Sequence, residues 1–305
     1  MISLGADVAK DSIVIFDGNS TFTVENKSVE LRKFLGRYPG ARLALEPTGG
    51  MQDLVCQIAY KLGMTVYVIQ SSWIRSHRRG TKPRAKTDKI DARTIHDYLV
   101  QRADSLHIWR PLPKLLVEIR LTLRQRQGMA KDLSRMRQRY RALKLRKPHL
   151  DALLAPLQDF IQMKDNRLKE LLSDIPKSKA VLSIPGVGIL TASAALCALE
   201  HIPFKNAEAF VAFAGIDPVP NDSGKFKGER HISKKGDMTL RTLLFLAGTS
   251  ATRTKAWKPK YEKLLAKGKE RKQAIVAIAR RIAITLYSVH KFNSTFDMKR
   301  LDTQL

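Results

Sequence analysis

Four carboxylates in the first third of this 305-residue chain could do chemistry together: Asp7, Glu46, Asp88 and Asp91. Asp7 lies in a short apolar run that predicts a first β-strand, and Glu46 ends a second strand-like run just before Pro47. Asp88 and Asp91 are three residues apart at the start of a predicted helix, so they share one helix face. Clustered carboxylates bind Mg²⁺, which stabilises charge on a phosphodiester. The pattern therefore predicts a magnesium site for phosphodiester chemistry.

A candidate nucleophile, Ser223, lies far along the chain in a segment rich in Gly, Asn and Asp that predicts a flexible loop. Lys225, Lys227 and Arg230 follow it, and positive charge stabilises both an alkoxide and an attacked phosphate. A loop serine can instead bond only its own backbone as a turn residue. Local chemistry alone favours the turn role.

Composition indicates what the chain binds. Lys and Arg number 55 against 28 for Asp and Glu, a net charge of +27, which predicts salt-sensitive binding to polyanions. Cys56 and Cys197 lie in apolar contexts without CxxC spacing, so we expect core residues of a reduced, cytoplasmic protein. No apolar stretch approaches the ~18 residues of a membrane span, and Met1 leads directly into the first strand, so neither a span nor a signal peptide is predicted.

The first segment alternates strands and helices. Strands are predicted over 2–8, 12–16, 21–24, 42–45 and 64–69, and helices over 28–35 and 52–62. A meander of three strands followed by β-α-β units is the layout of an RNase H-like α/β fold. In that layout acids from two strand ends meet acids from a late helix.

The polar segment over 73–93 is predicted to be a loop that connects the last strand to the helix of Asp88 and Asp91. It is strongly basic, and cations there could draw a nucleic-acid backbone toward the acids. The alternative is a solvated loop with local Lys–Asp pairs. The candidate nucleic-acid-binding residues of this segment are Arg78, Arg79, Arg84 and Lys86.

Residues 110–147 predict a long amphipathic helix, because apolar side chains recur at three- and four-residue steps. Pro148 is expected to end it, and 150–172 to return as a second helix, giving a coiled-coil-like hairpin that could also dimerise. Solvated helices usually mix both charge signs, whereas this one has few acids. We therefore expect nucleic-acid contacts here, with Arg120, Arg124, Arg135 and Arg139 as candidates.

The remainder, from 173 onward, predicts a mainly α domain. Residues 183–192 resemble a helix-hairpin-helix turn, whose free N–H groups can hold a phosphate. A tight turn between packed helices explains the same glycines equally well. Lys234 and Arg241 are further candidate nucleic-acid contacts, and 274–286 predicts an apolar closing helix.

Several motifs together resemble one known family, the DEDD transposases of insertion sequences, which are related to the Piv DNA invertases. The resemblance is carried by Gly5-Ala-Asp7-Val, Leu45-Glu46-Pro-Thr-Gly-Gly and Lys86-Thr-Asp88-Lys-Ile-Asp91-Ala-Arg93. It continues through Ile184-Pro-Gly-Val-Gly188, Phe213-Ala-Gly-Ile-Asp-Pro218, Ser223-Gly224 and Ile232-Ser-Lys-Lys-Gly-Asp237. It therefore covers nearly the whole chain in a specific order.

The resemblance implies three domains: a RuvC-like catalytic domain over 1–108, a basic helical hairpin over 109–172 and a transposase domain over 173–305. By motif matching, Asp7, Glu46, Asp88 and Asp91 would form a Mg²⁺-binding tetrad, and Ser223 would be the nucleophile. The family further implies target and donor DNA as substrates, a structured guide (bridge) RNA as partner and a homotetramer.

Two other functions stay open. A RuvC-like nuclease or Holliday-junction resolvase would use metal-activated water in place of Ser223. A non-catalytic nucleic-acid-binding protein would retain the acids without using them, and the intact tetrad argues against it.

Overall fold

The computed structural model describes residues 1–81, 88–142, 147–219, 222–223, 226–227 and 231–298. The chain divides into two compact units, Met1–Pro111 and Leu112–Leu305. The first unit is α/β and the second is mostly helical. None of the helices within the described ranges is long and apolar enough to cross a membrane.

The first unit is built on a five-stranded mixed sheet with the order β3-β2-β1-β4-β5. Three strands form an antiparallel meander, and the last two run parallel to β1, as the sequence predicted. The strands are β1 (Ser3–Val8), β2 (Ser12–Phe16), β3 (Thr21–Glu25), β4 (Arg42–Leu45) and β5 (Thr65–Val68).

Helices cover both faces of this sheet. On one face, α1 (Ser28–Leu35) and α2 (Asp53–Lys61) pack on alternate strand residues such as Leu4, Ala6 and Leu43. On the other, Ile74 of α3 (Ser71–Thr81) and Ile95 of α4 (Asp88–Arg102) pack on Ala44 and Tyr67. The period-two alternation of strand side chains decides which residues face which helices.

One part of this layout differs from the sequence prediction. Residues 71–81 form helix α3, so the expectation of a loop over 73–93 is wrong there. The segment is polar and lacks long apolar runs, but Ile74 is anchored in the core at 3% exposure and the His77 ring packs edge-on against Tyr98. A helix held by so few apolar residues gives a weak periodic signal in sequence.

Gly5 sets the distance between the sheet and α4. A Cβ added at Gly5 would lie 2.2 Å from the backbone carbonyl oxygen of Ala92 and 2.4 Å from the backbone nitrogen of His96. No residue with a side chain fits in that space without moving the helix. The glycine in Gly5-Ala6-Asp7 is therefore required by the close packing of α4 on β1.

The second unit opens with a helical hairpin. Helix α5 (Lys114–Ala142) and α6 (Lys147–Ser173) are antiparallel neighbours, and Leu116, Ile119 and Leu123 share a core with Leu168 and Leu171. Helix α5 ends before Pro148, which lies in the first turn of α6 and does not end α5. Proline is tolerated there because the first-turn N–H groups have no helical partner.

Ion pairs link the two helices of the hairpin. Arg126 makes a bidentate contact with Asp165, with Nε to Oδ1 at 2.9 Å and Nη2 to Oδ2 at 3.2 Å. Arg167 on α6 contacts Glu118 on α5 at 2.6 Å. Asp165 of α6 thus neutralises part of the positive charge of α5, and Glu118 of α5 neutralises a cation of α6.

The rest of the second unit packs around a large apolar core that includes the fully buried Trp257 and Phe210. Its chain order is α7 (Ser178–Leu182), α8 (Ile189–Leu199), α9 (Ala207–Ala214), four two-residue strands, α10 (Met238–Ala251), α11 (Lys258–Ala266) and α12 (Arg271–Phe292). The strands are β6 (Pro218–Val219), β7 (Asp222–Ser223), β8 (Phe226–Lys227) and β9 (His231–Ile232). The predicted closing helix is confirmed and longer than expected.

Gly5→Ala should destabilise the protein by about 3 kcal/mol, because the new methyl group meets backbone atoms of α4 and not a flexible side chain. The measurement is urea unfolding followed by circular dichroism. Gly128→Ala is the matched control: its Cβ would enter open space on α5, and alanine there should stabilise the helix by up to about 1 kcal/mol. Equal stability of Gly5→Ala and wild type would contradict the packing argument.

Candidate active site and nucleic-acid interface

Asp7 and Glu46 come from neighbouring parallel strands. The register pairs Gly5 with Ala44 and Ala6 with Leu45, so the next pair along the two chains is Asp7 and Glu46. Alternation places this pair on the same face as Gly5, which is the face that α4 covers. The two strand acids therefore lie on the α4 side of the sheet, one residue beyond the paired register.

Asp88 and Asp91 occupy the first turn of α4. They share a helix face with Ala92, Ile95 and Leu99, all of which are fully buried. That face is directed at the sheet, so the acids at its start are directed toward the end of β1 that carries Asp7. The N-terminus of a helix also favours carboxylates, because its free N–H groups carry partial positive charge.

The other three acids act electrostatically on Asp7. The pKa of Asp7 is raised from 3.8 to about 6, mostly by burial and then by the negative charges of Asp88, Asp91 and Glu46. A hydrogen bond from the Val8 backbone opposes the shift. These four acids are hereafter called the acidic cluster: Asp7, Glu46, Asp88 and Asp91. Their negative charges repel one another, and the carboxylate of Asp7 is half-buried.

Arg78 on α3 is paired with one member of the cluster. Its Nη1 lies 2.8 Å from Asp91 Oδ1, and the two side chains are only 27% and 18% exposed. The sequence predicts Arg78 only as a nucleic-acid contact, because a pair between residues 13 positions apart depends on the packing of α3 beside α4. Nearby, the Arg93 guanidinium lies 4.9 Å from the centre of the Phe16 ring.

The donor chemistry of the cluster suits a hard divalent cation. Its side-chain oxygens are the ligands that Mg²⁺ prefers, and a cation would offset the repulsion that raises the pKa of Asp7. As the side chains are placed, no three His, Cys, Asp or Glu residues within the described ranges converge closely enough to hold one ion. The acidic cluster therefore has the ligand atoms that suit a divalent metal ion. In this structure the Asp91 carboxylate is paired with Arg78.

The segment 218–232, hereafter the serine segment, is clamped at its base. Strand β6 pairs with β9, the Ser233 hydroxyl donates a short hydrogen bond to Asp217 Oδ1, and Ser233 N–H donates to the Asp217 carbonyl at 3.0 Å. Asp237 N–H donates to the Phe213 carbonyl at 2.8 Å, and its carboxylate caps α10 at Leu240 N–H. The motifs Phe213–Pro218 and Ile232–Asp237, which flank Ser223 in the sequence, are therefore joined by hydrogen bonds.

Ser223 lies in a short strand and not in a loop as predicted. Strand β7 pairs with β8, with Ser223 opposite Phe226 and Asp222 opposite Lys227. Lys225 and Arg230, both predicted to surround Ser223, lie outside the described residues, and Lys227 is described only through its backbone pairing.

The other predicted nucleic-acid contacts fall into three groups. Arg120, Arg124, Arg135 and Arg139 are exposed on α5, and their spacing spreads them over about 100° of the helix surface. Lys234 is exposed, whereas Arg241 donates from Nη1 to the Ala214 carbonyl at 3.2 Å, so Arg241 supports the clamp. Arg84 and Lys86 lie outside the described residues, and Arg79 is described only as part of α3.

The two glycines of the helix-hairpin-helix-like turn have different surroundings. Gly186 has φ of +91°, and a Cβ there would lie 2.7 Å from the Cβ of Ala251 on α10, so this glycine permits tight helix packing. Gly188 precedes α8, and a Cβ there would meet nothing within 4 Å. The packing interpretation therefore explains Gly186, while the N–H groups that follow Gly188 remain open to the phosphate interpretation.

Comparison with known protein families shows the family of this chain. A DEDD transposase model of the IS110 type matches residues 4–146, and a second model, described as transposase of the IS116/IS110/IS902 family, matches residues 178–263. Both models are of one kind and together span the acidic cluster and the serine segment. The chain belongs to the IS110 family of transposases.

Relatives of this transposase include proteins that invert DNA. The chain is 26% identical to the pilin gene-inverting protein of Moraxella bovis and 25% identical to that of Moraxella lacunata, with 97% of this chain and 98% of each relative covered. It is 24% identical to the transposase for insertion sequence element IS1328 of Yersinia enterocolitica, over 79% of this chain and 81% of that one. The chain is accordingly a DNA recombinase.

Some residues that organise this transposase were quoted in motifs without a predicted role. Gly5 is the packing point for α4, and the Asp217–Ser233 pair closes the base of the serine segment. Arg78 was assigned a different partner from Asp91. In the sequence, Gly5 is marked only by its position two residues before Asp7. A single sequence gives no sign of contacts between residues that are distant along the chain.

Stability without divalent cation should reveal the titration of Asp7. Because its folded pKa is about 6 against 3.8, the folded protein holds an extra proton between about pH 4 and 6, and the free energy of unfolding falls as pH rises through that window. Above pH 6, Asp7→Asn should therefore be more stable than wild type by about 1–2 kcal/mol after allowance for solvent screening.

The measurement is the difference in unfolding free energy between variant and wild type across this pH range. Asp11→Asn, which removes an exposed acid from the β1–β2 turn, controls for loss of one charge. A difference between Asp7→Asn and wild type that is constant from pH 4 to above 6 would contradict the crowding of the four acids.

Proposed function

We propose that this transposase is an RNA-guided DNA recombinase of an insertion sequence, which cuts and rejoins strands with a Mg²⁺-bound acidic tetrad and Ser223 as nucleophile. The observation that supports it best is the half-buried Asp7, whose pKa is raised by burial and by three acids from two other elements. A protein without use for these charges gains nothing from this costly arrangement. The RuvC-like character of the sheet domain is part of the same proposal.

Asp7, Glu46, Asp88 and Asp91 are the residues that would hold the metal. Bound there, Mg²⁺ would supply charge neutralisation for a scissile phosphate. Asp91 must then exchange its Arg78 partner, now 2.8 Å away, for the ion. Released, the Arg78 guanidinium is suited to contact phosphate oxygens as a bidentate donor.

Ser223 Oγ attacks the scissile phosphorus in this mechanism and forms a serine–phosphate ester. The displaced deoxyribose oxygen takes a proton, and the serine hydroxyl loses one, so the step is balanced. The ester conserves the phosphodiester energy, so that a different strand end can displace Ser223 and be joined without ATP. The chain segments that flank Ser223 are held together by the hydrogen bonds between Asp217 and Ser233, which would support the position of the nucleophile.

The assembly follows from the chemistry. One Ser223 cuts one strand, so recombination of two duplexes requires several protomers, and we propose a homotetramer. The acidic cluster and Ser223 belong to different compact units, which permits an active site composed from two subunits. We further propose that the enzyme acts in the bacterial cytoplasm, at the nucleoid.

Guidance by a structured RNA would account for the basic surface. Arg120, Arg124, Arg135 and Arg139 of α5 are exposed, and such a surface suits the phosphates of an A-form duplex. Base pairing of RNA loops with target and donor DNA would then choose the sequence, with the protein reading mainly shape and charge. Sequencing of RNA that co-purifies with the protein tests this point, since absence of a discrete species would argue against guidance.

Ser223→Ala should abolish covalent protein–DNA adducts and leave nucleic-acid binding intact, because only the nucleophile is lost. Adducts are detected as labelled DNA that stays with the denatured protein. Ser233→Ala is the serine control: it should weaken the clamp at Asp217 and reduce adduct yield without eliminating it. Adducts formed by Ser223→Ala would refute the assignment, and cleavage without adducts by wild type would favour the water-using nuclease.

Asp7→Asn should eliminate Mg²⁺-dependent strand cleavage and, independently, reduce the stabilisation of the protein by Mg²⁺. Wild type should gain thermal stability on Mg²⁺ addition, more at pH 7.5 than at pH 5.5, because Asp7 with a pKa of about 6 must lose its proton before it binds an ion. Glu25→Gln, an exposed β3 acid paired with Lys27, is the control. Normal cleavage by Asp7→Asn would support a non-catalytic role for the cluster.

A further inference from the structure

One asparagine of the first unit contacts the chain that follows each of the two strand acids. Asn26 lies between β3 and α1, a position where an asparagine often caps the coming helix. Here the N-cap residue of α1 is Lys27, and it makes no side-chain cap hydrogen bond. The Asn26 side chain is bonded instead to the segments that follow β1 and β4.

The Asn26 amide donates to the chain that follows Asp7. Its Nδ2 lies 3.1 Å from the Ala9 carbonyl oxygen and 3.4 Å from that of Lys10. The Asn26 backbone N–H also donates to the Asp11 carbonyl at 2.9 Å. Asn26 is thereby fixed against the turn between β1 and β2.

The same amide group also contacts the turn that follows Glu46. Its Nδ2 lies 3.4 Å from the Met51 carbonyl oxygen. That turn is closed on itself, because Gln52 Oε1 accepts from Thr48 N–H at 2.9 Å and from Gly50 N–H at 3.0 Å. One side chain thus contacts the segments that follow both strand acids.

These contacts lie beyond the last backbone pairing of the two acid-bearing strands. The register of β1 and β4 ends with Ala6 opposite Leu45, one residue before Asp7 and Glu46. The ladder holds neighbouring strands about 4.8 Å apart, and it no longer does so at the two acids. Asn26 supplies a link between the two chains just past this point.

The other half of the Asn26 amide indicates which atom makes the link. Its Oδ1 is enclosed and has no hydrogen-bond partner in the part of the chain that the structure describes. An enclosed acceptor without a donor is unfavourable. The favourable contacts of this amide therefore come from Nδ2, which joins the two chain segments.

The separation of the two strand acids matters most for a small cation. Mg²⁺ requires nearly octahedral geometry at about 2.0–2.1 Å, whereas Ca²⁺ accepts flexible geometry at about 2.3–2.6 Å. Residues that hold metal ligands in place typically change metal affinity by about 10–100-fold when they are replaced. A link that fixes Asp7 relative to Glu46 should therefore favour Mg²⁺ over Ca²⁺.

We propose that Asn26 is a positioning residue that holds Asp7 and Glu46 at the separation that Mg²⁺ requires. The inference rests on the proposed function for its metal, whereas the link between the two chain segments is a property of the metal-free fold. The two parts can therefore be tested separately.

The first test measures metal affinity in the full-length protein. Asn26→Leu removes the amide and keeps a similar volume, and Asn26→Ala removes it and leaves space. Asn19→Leu and Asn19→Ala are the matched controls, because Asn19 is an exposed asparagine of the β2–β3 turn, at the opposite end of the meander. Thermal stabilisation by Mg²⁺ and by Ca²⁺ is titrated for each variant against its own metal-free melting temperature, so that a general loss of stability does not count.

Both Asn26 variants should need about tenfold more Mg²⁺ for half of the full stabilisation, with a clearly smaller increase for Ca²⁺. The Asn19 variants should match wild type. A purely structural role would weaken the binding of both ions equally. Equal losses for the two ions, or losses no greater than those of the Asn19 variants, would overturn the proposal.

The second test measures amide hydrogen exchange of the metal-free protein by mass spectrometry. Loss of the link should speed exchange in residues 9–12 and 47–53 of the Asn26 variants, with exchange in β5 unchanged. Gln52→Leu, which opens the turn after Glu46, should speed exchange in 47–53 alone. Unchanged exchange of both segments in the Asn26 variants would also overturn the proposal.

These measurements separate the inference from the proposed function. If Asp7→Asn abolishes stabilisation by Mg²⁺ while the Asn26 variants respond like wild type, Asn26 has no positioning role and the metal site stands. If wild type is stabilised by neither ion, the metal site of the proposed function fails. The exchange measurement then decides alone whether Asn26 holds the two acid-bearing segments together.

Discussion

The close packing of α4 on β1 is the constraint on which the acidic cluster depends. With no side chain at Gly5, the backbone of α4 at Ala92 and His96 reaches the strand directly. The first turn of that helix thereby brings Asp88 and Asp91 within electrostatic range of Asp7. The two parallel strands add Glu46 one residue past their register, so the negative charges of three acids from two other elements act on Asp7.

Repulsion among the four acids lowers the stability of the fold. Neighbouring groups offset part of this repulsion. The pKa of Asp7 is raised to about 6, so that near neutral pH the fold retains a charge that it would prefer to neutralise. Arg78 balances Asp91 from α3, and the start of α4 contributes helix-dipole stabilisation. The repulsion among the carboxylates is partly offset by the Arg78 guanidinium. A cation could offset the same repulsion in place of Arg78.

In the second unit, hydrogen bonds hold together the two chain segments that flank Ser223. Ser233 donates hydrogen bonds to the carboxylate and to the backbone carbonyl of Asp217, which ties the segments before and after Ser223 to each other. Asp237 then links them to the start of α10 by accepting from Leu240 N–H. In the helical hairpin, Asp165 of α6 pairs with Arg126 of α5, and Glu118 of α5 pairs with Arg167 of α6. Part of the positive charge of the hairpin is therefore neutralised between its two helices.

The sequence by itself determined the elements and the identity of the acids. Alternating and helical periodicities give the meander, the β-α-β units and the helical hairpin, because local pattern reflects which face is buried. The order of short motifs around Asp7, Glu46, Asp88 and Ser223 was enough to indicate the family, later shown by the two matching models.

Tertiary structure alone decided the contacts between distant residues. The helix over 71–81 and the Arg78–Asp91 pair both arise from a segment whose own composition is mostly polar and basic. Whether a lysine is balanced by an acid depends on elements packed beside it in space, as Arg126 and Asp165 illustrate. Spacing along one chain encodes a helix face or a strand face, but it does not encode which other face will meet it.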